Sequence, residues 1–249
     1  MLKNGYSAYP QILKTSHNHL IFLILRDHAK VRRADFIPGP MTVIIDQMLV
    51  ALLGYSMREL PDSLYFISET LLAERSKKLP MRLKPSRSKK MGSETGYYHS
   101  NAMALGDVAK ELELEASDNA IAVLFRDCDG TRSAPASLWQ TKWESMCCGF
   151  RRSEFLRGVP MLPKPTSEAW LLCAAQNQAY QNCDQLEGLP GNQASPNHPK
   201  KKLDEAFGEH KSAAELCEWL DGIAFDSVRA ESMPSFKAFK DELERSLTT

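Results

Sequence analysis

The sequence predicts an α/β protein in which helices flank a mostly parallel sheet. Its clearest strand is the apolar run Ile121–Phe125, which follows a helical segment at 101–115. This helix–turn–strand order is typical of parallel βαβ units. A short strand that is apolar at every position is expected to be buried on both faces, as in a parallel sheet. Further strand candidates are Leu20–Leu25, Leu64–Ile67 and Gly158–Leu162.

Apolar spacing and capping residues place the helices. Four predicted helices have both bounds, 41–53, 101–115, 138–146 and 203–207. Three more are placed by their starts alone, at Thr166/Ser167, at the Ser212–Glu215 capping box and at Ser235. Only helical patterns follow residue 180, so we expect an α/β domain over 1–180 and a helical C-terminal lobe over 181–249. Pro80 and Pro85 discourage a long helix, so 75–100 is predicted to be a basic insertion or loop.

Composition limits the function classes. The 31 basic and 31 acidic residues balance, so any nucleic-acid surface must be a local patch. No apolar run reaches the ~20 residues of a membrane span, and the start of the chain lacks a signal-peptide pattern. The six cysteines include no C-x-x-C pair and are predicted to be reduced thiols. We therefore expect a cytoplasmic protein with no membrane association.

Two carboxylates stand directly after the clearest strand, in the sequence Asp127-Cys-Asp129-Gly-Thr131. In open α/β sheets, ligands bind beyond the carboxyl ends of the strands. Side chains two residues apart point to the same side of an extended chain, so we expect the two acids to lie together. Oxygen ligands of this kind favour a hard cation such as Mg²⁺. The other interpretation is a strand-ending turn, because Asp and Gly are common turn residues.

Glu168 and Lys164 extend this candidate site. Both follow the strand candidate Gly158–Leu162, and they would share a rim with Asp127 if the two strands were neighbours. Glu168 is predicted to be a metal ligand or a catalytic acid, although the helix dipole alone also favours an acid in a first turn. Lys164 is predicted either to neutralise a phosphate or to be a solvated lysine.

A basic segment is the candidate nucleic-acid surface. Its positive side chains are Arg75, Lys77, Lys78, Arg82, Lys84, Arg87, Lys89 and Lys90. Because such clusters neutralise phosphates, the segment is interpreted as an arm that contacts the nucleic-acid backbone, or else as a solvated loop. Tyr97, Tyr98 and His99 follow it and are predicted to stack on bases. Lys200, the first of three consecutive lysines, joins the predicted phosphate contacts.

Three motifs together resemble the TOPRIM-type proteins of prokaryotic defence loci, which include the RloB-like proteins. They are Asp127-Cys-Asp129 at a strand end, the run Pro163-Lys-Pro-Thr-Ser-Glu-Ala-Trp-Leu-Leu172, and a lysine within the P-x-x-x-K-x-x-L segment Pro196–Leu203. The resemblance covers roughly residues 100–205. It implies a TOPRIM/Rossmann-like sheet that binds Mg²⁺ or Mn²⁺ through Asp127, Asp129 and Glu168. It also implies nuclease chemistry and an ATPase partner of the ABC/AAA type, through which the chain is expected to oligomerise.

The chain departs from this family at the acid that TOPRIM-type proteins carry after their first strand. The segment Phe36–Thr42 resembles that strand end, but Pro38 occupies the position of the acid. Glu69 and Asp27, which each follow a strand candidate, are the substitutes. In the family this acid is the proposed general acid/base. If neither substitute fills the role, we expect the metal site to be intact and catalytically weak.

Two other function classes stay open. Asp127-Cys-Asp129-Gly-Thr131 also resembles the first motif of haloacid-dehalogenase-type phosphatases, in which the first Asp is the nucleophile and the second a general acid. Ser145 and Lys164 would then supply the second and third motifs, but no acidic pair follows at a later strand end. The other class is a subunit that binds nucleic acid or an ATPase and lacks activity.

Overall fold

The computed structural model describes residues 21–26, 38–60, 63–78, 93–128 and 138–249. Four strands within these ranges form one sheet. They are β1 (Ile21–Arg26), β2 (Leu64–Ser68), β3 (Ala120–Phe125) and β4 (Gly158–Met161). All neighbouring pairs are parallel, and the order across the sheet is β2-β1-β3-β4. The predicted α/β class and parallel sheet are confirmed.

Eight α-helices accompany these strands in the described ranges. They are α1 (Pro40–Leu53), α2 (Glu69–Lys78), α3 (Ser93–Ala116), α4 (Trp139–Arg152), α5 (Ser167–Ala175), α6 (Pro199–Phe207), α7 (Ala213–Asp221) and α8 (Pro234–Leu247). Two short 3-10 helices cover Cys183–Gly188 and Arg229–Ser232. Helices α3, α4 and α6 are longer than the sequence predicted.

The sheet is buried on both faces, because alternate side chains of a strand point to opposite sides. In β3, Ile121 and Val123 belong to one hydrophobic cluster, which we call the first core. Ala122 and Leu124 belong to another, the second core. Helices α1 and α5 to α8 cover the first core, whereas α2, α3 and α4 cover the second. This two-sided burial explains why β3 is apolar at every position.

The connections that follow the adjacent strands β1 and β3 run in opposite directions across the sheet. β1 connects to β2 on one side through α1, and β3 connects to β4 on the other side through α4. Helix α1 covers the first core and α4 the second, as crossovers of one hand require when they run in opposite directions. Such a switch point opens a crevice beyond the carboxyl ends of the two strands, where open α/β sheets bind ligands.

The segment predicted to be a basic loop at 75–100 is helical at both ends, so that prediction is wrong there. Leu72 is fully buried in the second core and anchors α2, which runs to Lys78. Helix α3 begins at Ser93 because Tyr98 extends its buried face toward the same core. Residues 79–92 lie outside the described ranges.

The C-terminal segment predicted as a lobe is helical and shares the first core with the sheet. Gln47 of α1 ties the two together. Its side-chain nitrogen donates to the carbonyl of Leu220 at 2.7 Å, and its oxygen accepts from the amide of Phe225 at 2.9 Å. Helix α7 therefore packs against α1, and its first turn reaches the carboxyl edge of the sheet.

The prediction that all six cysteines are reduced is wrong for one pair. Cys173 of α5 and Cys183 of the following 3-10 helix form a disulfide, with both residues fully buried in the first core. The turn after α5 brings their Cα atoms to 5.3 Å, which is within the range that a disulfide spans. Cys147 and Cys148 are free thiols.

None of the helices in the described ranges combines the length and the apolar character needed to cross a lipid bilayer.

Gly149 sets how closely α3 and α4 approach. A Cβ atom at 149 would overlap the carbonyl oxygen of His99 and lie 2.7 Å from the Cβ of Ala102. In an open helix interior, alanine is favoured over glycine by roughly 0.5–1 kcal/mol. Overpacking a helix contact costs about 1–3 kcal/mol, and the rigid backbone carbonyl favours the upper end.

We therefore expect Gly149→Ala to lower the free energy of unfolding by about 2 kcal/mol, measured by urea denaturation. The control is Gly188→Ala, since a Cβ there meets nothing within 4 Å and the free energy should change by less than ~0.5 kcal/mol. Equal stability of the two variants would contradict the close helix contact.

Candidate functional site

A cavity of about 320 Å³ lies at the carboxyl edge of the sheet. Phe66 of β2 and Phe125 of β3 form part of its wall. The remainder comes from the first turns of α1, α5 and α7, from α6, and from the loop between α6 and α7. The cavity therefore occupies the crevice that the switch point between β1 and β3 creates.

Asp127 is tied to this edge by a hydrogen bond across 40 residues of sequence. Its Oδ1 accepts from the backbone amide of Ser167 at 2.7 Å. Ser167 is the first residue of α5, and the side chain of its N-cap, Thr166, makes no capping bond. The carboxylate thus gives the first-turn amide a hydrogen-bond partner that the helix itself does not provide, and the positive end of the helix dipole stabilises its negative charge. This contact joins the end of β3 to the start of α5.

Glu168, the next residue of α5, lines the cavity. The structure thus brings Asp127 and Glu168 to the same edge, as the sequence predicted from the two strand ends. Asp129, the third predicted ligand, lies outside the described ranges. Among the described residues, no three His, Cys, Asp or Glu side chains group closely enough to hold a metal ion. The magnesium site stays a prediction.

The sheet order bears on the missing acid of the TOPRIM pattern. Pro38 stands two residues before α1, and residues 27–37, which separate it from the end of β1 at Arg26, lie outside the described ranges. Its comparison with a strand-end acid stays a prediction. Glu69 begins α2 directly after β2, which lies two strands from β3, or about 10 Å across the sheet. Asp27 follows Arg26 in the sequence and lies outside the described ranges.

Lys164 stands beside a buried carboxylate. Its Nζ lies 4.0 Å from Oε2 of Glu187, a residue that is only 5% exposed. Oε1 of Glu187 accepts from the amide of Ser235 at 2.6 Å, and Oγ of Ser235 accepts from Nε1 of Trp170 at 2.9 Å. Burial raises the pKa of Glu187, and this effect outweighs the opposing effects of Ser235 and Lys164. The catalytic role of Lys164 stays a prediction, and Glu187 is its observed neighbour.

The predicted nucleic-acid contacts are dispersed. Arg75 donates to both carboxylate oxygens of Glu111, at 2.6 and 2.7 Å, so its charge is paired between α2 and α3. Lys77 and Lys78 are exposed in the last turn of α2. Lys200 is exposed on α6 and lines the cavity. Arg82, Lys84, Arg87, Lys89 and Lys90 lie outside the described ranges.

The prediction that Tyr98 and His99 stack on bases is wrong, because both are buried in α3, at 8% and 3% exposure. The hydroxyl of Tyr98 donates to the carbonyl of Asp127 at 3.4 Å, so this ring supports the acidic loop from below. Burial lowers the pKa of His99, with a smaller contribution from Arg152. Tyr97 is only partly buried, and its hydroxyl accepts from Arg126 at 2.9 Å.

Lys142 is a residue that the sequence reasoning missed. It is 3% exposed in α4, and its Nζ donates to the carbonyl of Cys128 at 3.1 Å. The same ammonium lies 5.3 Å from the centre of the Tyr98 ring. Buried lysines are rare unless they are paired. The available signal was its position on the apolar stripe that includes Trp139 and Met146, where a lysine is out of place.

No protein-family model matches the chain, and a search of curated proteins and of solved structures also yields no match.

The raised pKa of Glu187 makes stability depend on pH. The folded protein holds this proton more tightly than the unfolded chain, so ionisation disfavours folding. Relative to Glu187→Gln, the wild type should lose stability as pH rises from the ordinary glutamate pKa through the raised value. Above that window, the difference between the two proteins should be constant.

Urea denaturation from pH 4 to pH 8 measures this difference. The control is Glu209→Gln on an exposed loop, which should follow the wild-type profile across the same range. A Glu187→Gln variant whose stability keeps a constant offset from the wild type at every pH would contradict the assignment.

Proposed function

We propose that the chain is a divalent-metal-dependent phosphodiester hydrolase that acts on nucleic acid at the carboxyl edge of β3 and β4. The observation that carries this proposal is the 2.7 Å hydrogen bond between Asp127 and the amide of Ser167. It joins the acid after β3 to the first turn that holds Glu168 beside the cavity. Two carboxylates at the switch point of a parallel sheet are well situated for chemistry on a phosphate.

The donor set fits a hard cation. Asp127 and Glu168 offer carboxylate oxygens, which Mg²⁺ and Mn²⁺ prefer, and Asp129 is the proposed third ligand. Bound there, the ion would polarise the phosphate and reduce its charge. Hydrolysis adds water across one P–O bond and leaves a phosphomonoester and a hydroxyl group. Asp27 is the preferred candidate for the acid that takes the water proton, because β1 is adjacent to β3 whereas β2 is not.

Buried groups beneath the edge hold the acidic loop in place. Lys142 donates to the carbonyl of Cys128, and Tyr98 donates to that of Asp127. These bonds fix the backbone between the two acids of the motif, so ligand positions do not depend on side-chain packing alone. The positive charge of Lys142 also favours anionic groups in its neighbourhood.

A partner ATPase of the ABC/AAA type and assembly through that partner complete the proposal. Their support is the resemblance to TOPRIM-type proteins of defence loci. Lys77 and Lys78, exposed at the end of α2, and the basic residues that follow them are the proposed contacts to the nucleic-acid backbone.

Asp127→Asn tests the proposal without removing the contact to Ser167. Asparagine keeps an oxygen acceptor and the side-chain shape, so we expect a folded protein, but it removes the charge that a cation needs. Cleavage of plasmid DNA or of RNA with Mn²⁺, with and without the ATPase partner, should fall at least ~100-fold, as loss of about 3 kcal/mol of transition-state stabilisation implies. The matched control is Asp118→Asn, before β3 at the opposite edge, which should cleave like the wild type.

Cleavage that persists in Asp127→Asn would contradict the proposed site. Hydrolysis of small phosphomonoesters without nucleic-acid cleavage, together with trifluoroberyllate trapped on Asp127, would favour the phosphatase class. Binding of nucleic acid or of the ATPase by a wild type that turns nothing over would favour the inactive subunit.

A further inference from the structure

We propose that the cavity at the carboxyl edge binds a single nucleotide unit, with the base against its aromatic wall and the phosphate near Lys200 and the start of α1. The shared chemistry is a nucleoside 5′-phosphate, either free or at the end of a strand. This inference rests on the proposed function in naming nucleic acid as the substrate. Binding is measured without turnover, so its failure is distinct from a failure of the hydrolase proposal.

The size and the sheet-side wall of the cavity suit a flat apolar group. Its volume of about 320 Å³ lies within the range of small-molecule sites, roughly 300–1,000 Å³. Phe66 and Phe125 line it from the sheet, and Leu171, Leu203 and Leu216 line it from α5, α6 and α7. Bases stack on aromatic side chains irrespective of sequence, because every base has a π-face.

The rim carries positive side chains beside the carboxylates of Glu168 and Asp204. Lys200 lines the cavity, and its ammonium has no ion pair or hydrogen bond with any other residue that the structure describes. Lys211, whose Nζ lies 2.8 Å from Glu209, and His210, paired with Asp204 at 3.0 Å, stand on the same side. The start of α1 also lines the cavity, has no side-chain cap and has no acid in its first turn, so it adds positive potential. The start of α5 is already occupied by the carboxylate of Asp127.

Among the residues that the structure describes, two buried polar atoms at the N-caps of α5 and α6 have no hydrogen-bond partner. They are Oγ1 of Thr166, before α5, and Nε2 of His198, before α6. Their residues are 3% and 4% exposed. A buried polar group without a hydrogen bond destabilises the fold, and an ordered water, an ion or a catalytic role is a known reason that such groups persist. The aromatic wall, Lys200 and the uncapped start of α1 line one cavity. The two orphaned atoms belong to residues that stand next to its lining in the sequence, Thr166 directly before Ser167 and His198 two residues before Lys200.

Neighbouring alanines provide a matched test. Ala213 lines the cavity, whereas Ala214 does not, and both are exposed in the first turn of α7. Ala213→Trp should fill the mouth of the cavity, while Ala214→Trp places the same ring outside. Lys200→Ala and Lys201→Ala form a second pair, since Lys201 does not line the cavity.

Isothermal titration without metal, with adenosine 5′-monophosphate, adenosine, inorganic phosphate, and a hexanucleotide with or without a 5′-phosphate, measures the binding. We expect the monophosphate to bind more tightly than adenosine or phosphate. Ala213→Trp should weaken it at least tenfold and Lys200→Ala about threefold, with both controls unchanged. Thermal melting checks that all four variants are folded.

The same titrations distinguish a free nucleotide from the end of a nucleic-acid strand as the ligand. Preference for the 5′-phosphorylated hexanucleotide over the free monophosphate assigns the cavity to a strand end, and the reverse order assigns it to a free nucleotide. Equal affinity of Ala213→Trp and Ala214→Trp, or absence of binding by the monophosphate and by both hexanucleotides, would overturn the proposal.

Discussion

The structure depends on one constraint, the burial of a parallel sheet on both faces. Parallel strands need helical crossovers, and these crossovers cover the sheet from both sides. The chain meets this requirement with α1 and α5 to α8 on the first core and α2 to α4 on the second. Because the connections after β1 and β3 run in opposite directions, a crevice opens beyond the carboxyl ends of these two strands. The acidic loop, the start of α5 and the cavity all lie at this edge.

Buried polar side chains hold the elements of the site in place from both faces of the sheet. Trp170, two residues after Glu168 in α5, is fully buried, and its Nε1 donates to Oγ of Ser235. It therefore fixes α5 against α8, and α5 in turn presents Ser167 and Glu168 at the edge. Lys142 acts from the other face by holding the carbonyl of Cys128. The two cores thus meet at the end of β3. The first core holds α5 in place, and the second core supplies Lys142, which supports the acidic loop.

Local pattern predicted the strands and most helix starts, because burial on both faces makes a strand apolar throughout and capping residues mark helix starts. It also predicted that Asp127 and Glu168 share an edge. It did not predict the cavity, whose far wall depends on the contact between Gln47 and Leu220, 173 residues apart. The disulfide between Cys173 and Cys183 depends on a turn geometry that spacing does not reveal. The burial of Tyr98 was missed because the helix was predicted to begin at 101, whereas α3 begins at Ser93.

The central claim is that the carboxyl edge of β3 and β4 is where metal-assisted chemistry occurs. Paramagnetic broadening by Mn²⁺ in the amide spectrum of the labelled protein tests this claim most directly, because broadening falls steeply with distance from the ion. Substoichiometric Mn²⁺ should broaden the amides of Ser167 and Glu168 first. The amides of Asn119 and Arg157, at the opposite ends of β3 and β4, should stay sharp. Broadening of Asn119 and Arg157 with sharp Ser167 and Glu168, or no selective broadening, would contradict it.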